Sequence, residues 1–197
     1  MTQLIVFPVL LITLMLGTPA SAGDYWKGWY AARRGDHTTA LREWEPLAEQ
    51  GNAYAQFFLG VMYKEGKGVT QNYETAVKWY RLAAEQGFAD AQNNLGFMYG
   101  NGKGVPQDYE TAAKWYRLSA EQGYAPSQTL LSEMYFEGEG VTRDYTLAHM
   151  WLNLAASQGN EGAIKGRDIV EGRMTPANIS NARKLARECV KKKYEGC

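Results

Sequence analysis

The chain has 197 residues, 45% of them hydrophobic, with 21 basic and 21 acidic side chains and a formal net charge of zero. A balanced charge argues against nucleic-acid binding, which needs a strongly basic face. The length is that of one compact unit plus a leader, and beyond residue 22 no run is long and apolar enough to span a bilayer.

Residues 1–22 carry no charge. An apolar core, interrupted by Pro8 and Thr13, precedes Ala20-Ser21-Ala22, an A-x-A cleavage pattern. The segment is expected to be a secretory signal peptide, with an uncleaved anchor as the alternative. Cleavage implies a periplasmic or secreted protein with no stable membrane insertion.

A period of 36 residues governs the middle of the chain. Gly51, Gly87, Gly123 and Gly159 obey it, as do Tyr63, Tyr99 and Tyr135, and Trp79, Trp115 and Trp151. Residues 73–87 recur as 109–123 with changes only at Val77/Ala113 and Ala83/Ser119. A fixed period of this size marks a solenoid of stacked supersecondary units.

Residues 23–51 read as a degenerate opening unit, where Gly28, Ala31, Gly35 and Ala40 lead into 41–51. Three regular units occupy 52–87, 88–123 and 124–159. Each is expected to hold a helix A and a helix B, near 53–64 and 73–86 in the first. Helix A places Ala55, Leu59, Met62 and Tyr63 on one face. Helix B does so with Ala76, Trp79, Tyr80, Ala83 and Ala84, the tryptophan being expected to supply the large buried area. Gly66 can end helix A in the left-handed conformation. Asn72, Asp108 and Asp144 stand where helix B needs an N-cap oxygen. Ser132 replaces Gly60 and Gly96 in the third unit. Residues 160–197 are expected to form a degenerate unit, with Thr175-Pro176 opening a capping helix. The sum is about ten helices in five pairs, an all-α, right-handed α-solenoid.

The motif A-x-A-Q-x-x-L-G-x-M-Y-x-x-G-x-G-V at 53–69, with D-Y-x-x-A-x-x-W-Y-x-x-A-A-E-Q-G one helix later, resembles the Sel1-like repeat family, relatives of the tetratricopeptide repeats. The resemblance implies a non-catalytic adaptor that binds a protein or peptide partner. A cysteine-rich secreted branch of that family is described as binding or hydrolysing β-lactams, and this implies the alternative function, beside a cell-wall-associated role. That branch carries a cysteine pair in each repeat; here Cys189 and Cys197 are the only cysteines. They can close a terminal disulfide in an oxidising compartment, remain free thiols, or, with no histidine near, form a poor metal set.

No catalytic or cofactor motif is present. The two histidines, His37 and His149, stand at structural positions of the repeat. Gly66-Lys67-Gly68 and Gly102-Lys103-Gly104 look like phosphate loops, but a Walker A motif needs glycine where Phe97 stands and Ser or Thr where Gly104 stands. Their recurrence marks them as connections. The cluster of Arg183, Lys184, Arg187 and Lys191 to Lys193 suits a helix C-terminus, with an anionic partner as the alternative.

Functional specificity is therefore expected where the units differ. If helix A lines the concave side, its outward stripe is Tyr54, Phe57, Val61 and Lys64 in the first unit. In the second it is Asp90, Asn93, Phe97 and Gly100, and in the third Pro126, Thr129, Glu133 and Phe136. Aromatics on such a stripe can anchor a partner, or pack against the next unit.

Overall fold

The computed structural model describes residues 22–197. The expected leader, residues 1–22, lies outside them save for its last residue.

Ten α-helices and no strand occur among the described residues: α1 (Ala22–Arg33), α2 (His37–Glu49), α3 (Ala53–Glu65), α4 (Tyr73–Glu85), α5 (Ala89–Gly100), α6 (Tyr109–Ala120), α7 (Ala125–Glu137), α8 (Tyr145–Ser157), α9 (Glu161–Glu171) and α10 (Pro176–Lys191). Consecutive helices from α1 to α8 form four hairpins, and each B helix packs on the A helix of the next unit. The molecule is an α-solenoid of stacked helix pairs. The fifth pair departs from expectation: α9 and α10 both pack on α8 rather than closing a hairpin with each other.

Local chemistry sets these boundaries. Asn72, Asp108 and Asp144 each accept a backbone N–H of the first turn of a B helix. Gly66 and Gly138 end α3 and α7 at φ of 68° and 79°, a region that costs glycine little. The second loop glycine has a different role. A Cβ on Gly104 would lie 2.4 Å from the Tyr73 carbonyl, and one on Gly140 would lie 2.2 Å from that of Tyr109. These loops therefore dock on the preceding unit's B helix and are connections, not anion cradles.

The core corrects one expectation. Trp79 and Trp115 are only half-buried. The neighbouring Tyr80 and Tyr116 fill the interior instead, each against a glycine of the A helix. A Cβ on Gly60 would sit 2.6 Å from the Tyr80 ring, and one on Gly96 would sit 2.8 Å from that of Tyr116. The opening unit repeats the device with Gly28 and Trp44. In the third unit Ser132 and Leu152 occupy the corresponding positions, so a side chain is added where a ring is lost. Ser132 is buried and donates to the Thr129 carbonyl at 2.7 Å. There Trp151 is the fully buried aromatic.

A buried glutamine ladder joins the units. Gln56, Gln92 and Gln128 donate to the carbonyls of Ala48, Ala84 and Ala120 in the preceding B helix. Each accepts from the glutamine just beyond its own unit's B helix, Gln86, Gln122 or Gln158, at 2.7–3.0 Å. Each of these carbonyls also accepts a backbone N–H from Gly51, Gly87 or Gly123 at 2.9–3.0 Å; the glutamine fills its second acceptor site, so the ladder adds a directional link to the apolar contact. It stops at Ile164, the equivalent position in α9.

Candidate partner-binding face

The predicted stripe lies on the A helices, and none of its members is fully buried. The structure divides them into two groups.

The first group, Lys64 apart, is taken up between units. Phe57 is half-buried, with its ring centroid 5.2 Å from Phe88 and 6.0 Å from Tyr80. Val61 packs on the same cluster. Tyr54 is 55% exposed but meets Phe88 edge-on at 4.9 Å. Lys64 stands 3.9 Å from Glu65. Asp90 accepts from the Tyr124 hydroxyl at 3.0 Å; burial, with that carboxylate nearby, pushes the phenol up to about 12. Asn93 accepts from Ser127 at 2.9 Å. Phe57 is thus an inter-repeat filler, and Asp90 and Asn93 hold the second unit to the third.

The second group stays open. Phe97 is 36% exposed, under the Lys103 ammonium at 5.2 Å. Thr129, Glu133 and Phe136 come together on α7 around a pocket of about 190 Å³. Leu152 of α8 forms part of its wall, and Gly166, Ile169 and Val170 of α9 close its far side. Glu133 is exposed as a residue, but the pocket wall desolvates its carboxyl in part, which holds it above the usual carboxylate range. Reasoning from the sequence missed the contribution of α8 and α9. Aligning α9 on the 36-residue period would have exposed it, because Gly166 falls where the earlier units have Leu130, Asn94 and Phe58.

The polar groups around His149 form a structural network. His149 is fully buried; its Nε2 meets the Glu171 carboxylate at 2.7 Å and its Nδ1 meets the Asn153 amide at 2.8 Å. Arg183 of α10 donates to the same carboxylate at 2.9 Å. His149 and Arg183 hold the Glu171 carboxyl below its usual range. In the earlier units the equivalents of Asn153 and Glu171 are Arg81 with Tyr99 and Arg117 with Tyr135, which bond directly. The histidine network thus adapts a repeated inter-unit link to the terminal helices. Among the described residues no group of His, Cys, Asp and Glu could hold a metal ion, and no helix is long and apolar enough to cross a membrane. Cys189 and Cys197 are joined by a disulfide.

Stacked helical hairpins with repeated scaffold residues define an α-solenoid repeat protein, a fold that typically serves as a protein-interaction scaffold. Residues 53–88, 89–124 and 125–160 each match the Sel1 repeat, together more than half of the chain, and the chain belongs to the Sel1 repeat family. Members of that family generally mediate protein–protein interactions and are generally non-catalytic. Among solved structures, the chain is 30% identical to c5321, a protective antigen of uropathogenic Escherichia coli with an SLR fold, at a TM-score of 0.62. That match covers 87% of this chain but 45% of c5321, so the chain spans under half of that protein's length. A Sel1 repeat protein from Oxalobacter formigenes is 40% identical at a TM-score of 0.61, over 65% of this chain and 96% of its own. Helicobacter pylori cysteine rich protein B is 20% identical at a TM-score of 0.54, covering 66% of this chain and 95% of its own, a likeness of fold alone. No curated protein matches the chain.

Proposed function

We propose that this protein is a non-catalytic scaffold of the bacterial envelope or secreted space that binds a protein or peptide partner along its A-helix face, the concave side of the solenoid. The observation that carries this reading is the contrast between faces. The B helices α4 and α6 are near copies, whereas the A-face positions run Val61, Phe97, Glu133 and Ile169 from unit to unit. Selection for packing alone favours repetition; a surface that differs in every unit and retains exposed Phe97 and Ile169 suits recognition of one partner. Both ring nitrogens of the buried His149 are engaged, which leaves no general base there for a substrate.

The compartment is proposed from the charge-free residues 1–22 with their A-x-A pattern. The Cys189–Cys197 bond fits an oxidising location. Mass spectrometry of the N-terminus in fractionated cells tests this. A mature end at Gly23 in the envelope or medium is expected, and an intact Met1 in the cytosol refutes the location.

The face is tested by placing a photo-crosslinking residue at position 97 or, as control, at Lys78 on α4. Specific crosslinks at 97 that are absent at 78 are expected. The same products from both positions defeat the assignment.

A further inference from the structure

We propose that the pocket between α7, α8 and α9 takes an apolar side chain of an extended polypeptide that carries a lysine or arginine next to it. The proposal rests on the A face being the binding face and specifies what that face recognises.

The pocket exists because the repeat is broken there. In the first two units Tyr80 and Tyr116 fill the space beneath the A helices. In the third, Leu152 replaces the tyrosine, and Gly166 replaces the side chain that α5 and α7 carry at the same register. The result is about 190 Å³ lined largely by apolar groups, among them Phe136, Leu152, Ile169 and Val170. A sealed apolar cavity of about 150 Å³ accommodates benzene, so this one suits a single aromatic or branched aliphatic side chain. Ile169 stands at its edge, 63% exposed, an apolar group left open by the described residues.

The charge around the pocket selects what accompanies that side chain. Glu133 and Glu137 lie one turn apart on α7, and both line the pocket. Glu139 follows where the first two units carry Lys67 and Lys103. None of the three carboxylates has an ion-pair partner among the described residues. Arg143 donates to the Glu137 carbonyl oxygen, not to its carboxylate. Like charges at this spacing repel, and a partner's cation relieves that repulsion. An anionic ligand is disfavoured at the same place.

The shape selects a chain over a compact molecule. Glu133 and Glu137 also line a second depression, on the other side of α7, that reaches Gly100 and Tyr109. An occupant can therefore cross α7 from one hollow to the other, as an extended peptide does.

The test is a methyl NMR titration of the full chain from residue 23, using blocked pentapeptides centred on Arg-Phe, Glu-Phe or Arg-Ala. Shifts at the Leu152, Ile169 and Val170 methyls with the Arg-Phe probe are expected, with affinity at least about tenfold weaker for the other two. The double variant Ser132→Gly/Leu152→Tyr rebuilds the arrangement of the first two repeats, so it should fold and lose the response at Ile169. Glu133→Gln/Glu137→Gln should remove the preference for Arg-Phe over Glu-Phe. Equal binding of Arg-Phe and Glu-Phe to the wild type, no response to any probe, or an undiminished response in the refilled double variant each overturns the proposal. So does concentration-dependent dimerisation that produces the same methyl shifts without peptide. Crosslinking at position 97 reports on the face independently of this pocket. A crosslink there without a peptide response therefore defeats the pocket and leaves the face standing.

Discussion

Two kinds of residue show how individual side chains share the work of holding and of binding. The glycine–aromatic pairs hold. A Cβ at position 96 would come within 2.8 Å of the buried Tyr116 ring, and overpacking of that kind costs about 1–3 kcal/mol. Gly96→Ala should therefore lower stability by that amount in denaturant titration. Gly96→Ala with Tyr116→Leu, which imitates Ser132 with Leu152, should cost less than the two single changes added together. Strict additivity would mean that the ring and the glycine are not coupled. Glu133 behaves oppositely. Partial desolvation by the pocket wall raises its carboxyl pKa in the folded state, so the neutral form is the one folding favours. The stability linked to that form is present below the unfolded value, about 4.3, and is lost as pH rises through the folded value. Glu133→Gln should accordingly raise the Tm at pH 7, and the gain should vanish below about pH 4. An equal gain at both pH values would assign the effect to something other than charge. A side chain that costs stability where it stands is an expected mark of a binding position.

At the scale of elements, the hairpins are joined by polar links that hydrophobic pattern does not announce. Gln92 is 4% exposed, donates to Ala84 of α4 at 3.1 Å and accepts from Gln122 at 2.7 Å. Gln92→Leu removes both of these bonds, although the Ala84 carbonyl keeps the Gly87 N–H at 3.0 Å, and should cost about 1–3 kcal/mol. Gln122 lies exposed just beyond α6; Gln122→Ala removes one of the two bonds and lets water reach the Gln92 oxygen, so it should cost less, about 0.5 kcal/mol. Comparable losses from both changes would contradict this ranking. Much of this level was legible in the sequence. Asn72, Asp108 and Asp144 announce B-helix starts because a short acceptor side chain serves N-caps, and the 36-residue spacing announces the hairpins. The roles of Trp79 and Tyr80 were not legible. Adjacent residues on a helix point about 100° apart, and when both are large aromatics only the neighbouring Gly60 decides which enters. The pocket was hidden for a related reason. It arises from Leu152 and Gly166 on different helices, each unremarkable alone, and both lie outside the stripe that the A-helix pattern defines. Of the two roles open to a stripe aromatic, Phe57 packs between units, and the sequence alone does not show this because Phe88 and Tyr80, which meet its ring, are distant along the chain.

Across the whole molecule, a solenoid couples each unit mainly to its neighbours, so its two ends need different solutions. At the C-terminal end α10 buries Ala182, Ala186 and Cys189 against α8, the histidine network links α8, α9 and α10, and the Cys189–Cys197 bond closes the last turn. Inside that loop Lys193 and Tyr194 both have positive φ, 54° and 71°, a conformation that costs side-chain-bearing residues about 1–2 kcal/mol each. Tyr194 is held there by its N–H bond to the Cys189 carbonyl at 2.9 Å. Its ring also lies close enough to Gly123 that a Cβ on that glycine would approach it within 3.2 Å. The chain end thus folds back on the close of the second repeat. A bridge with a sequence separation of 8 gains about 2.5 kcal/mol in the chain-entropy account. Relief of the two strained residues offsets part of that once the bond is cut. Reduction, or Cys189→Ser with Cys197→Ser, should therefore lower the Tm by only a few degrees. Hydrogen exchange should locate the loss: faster exchange at the Tyr194 amide and in the last turn of α10, with the amides of Leu59 and Leu95 in the first two repeats unchanged. Uniformly faster exchange through α3 and α5 would show that the terminal clamp governs the whole array, contrary to nearest-neighbour coupling.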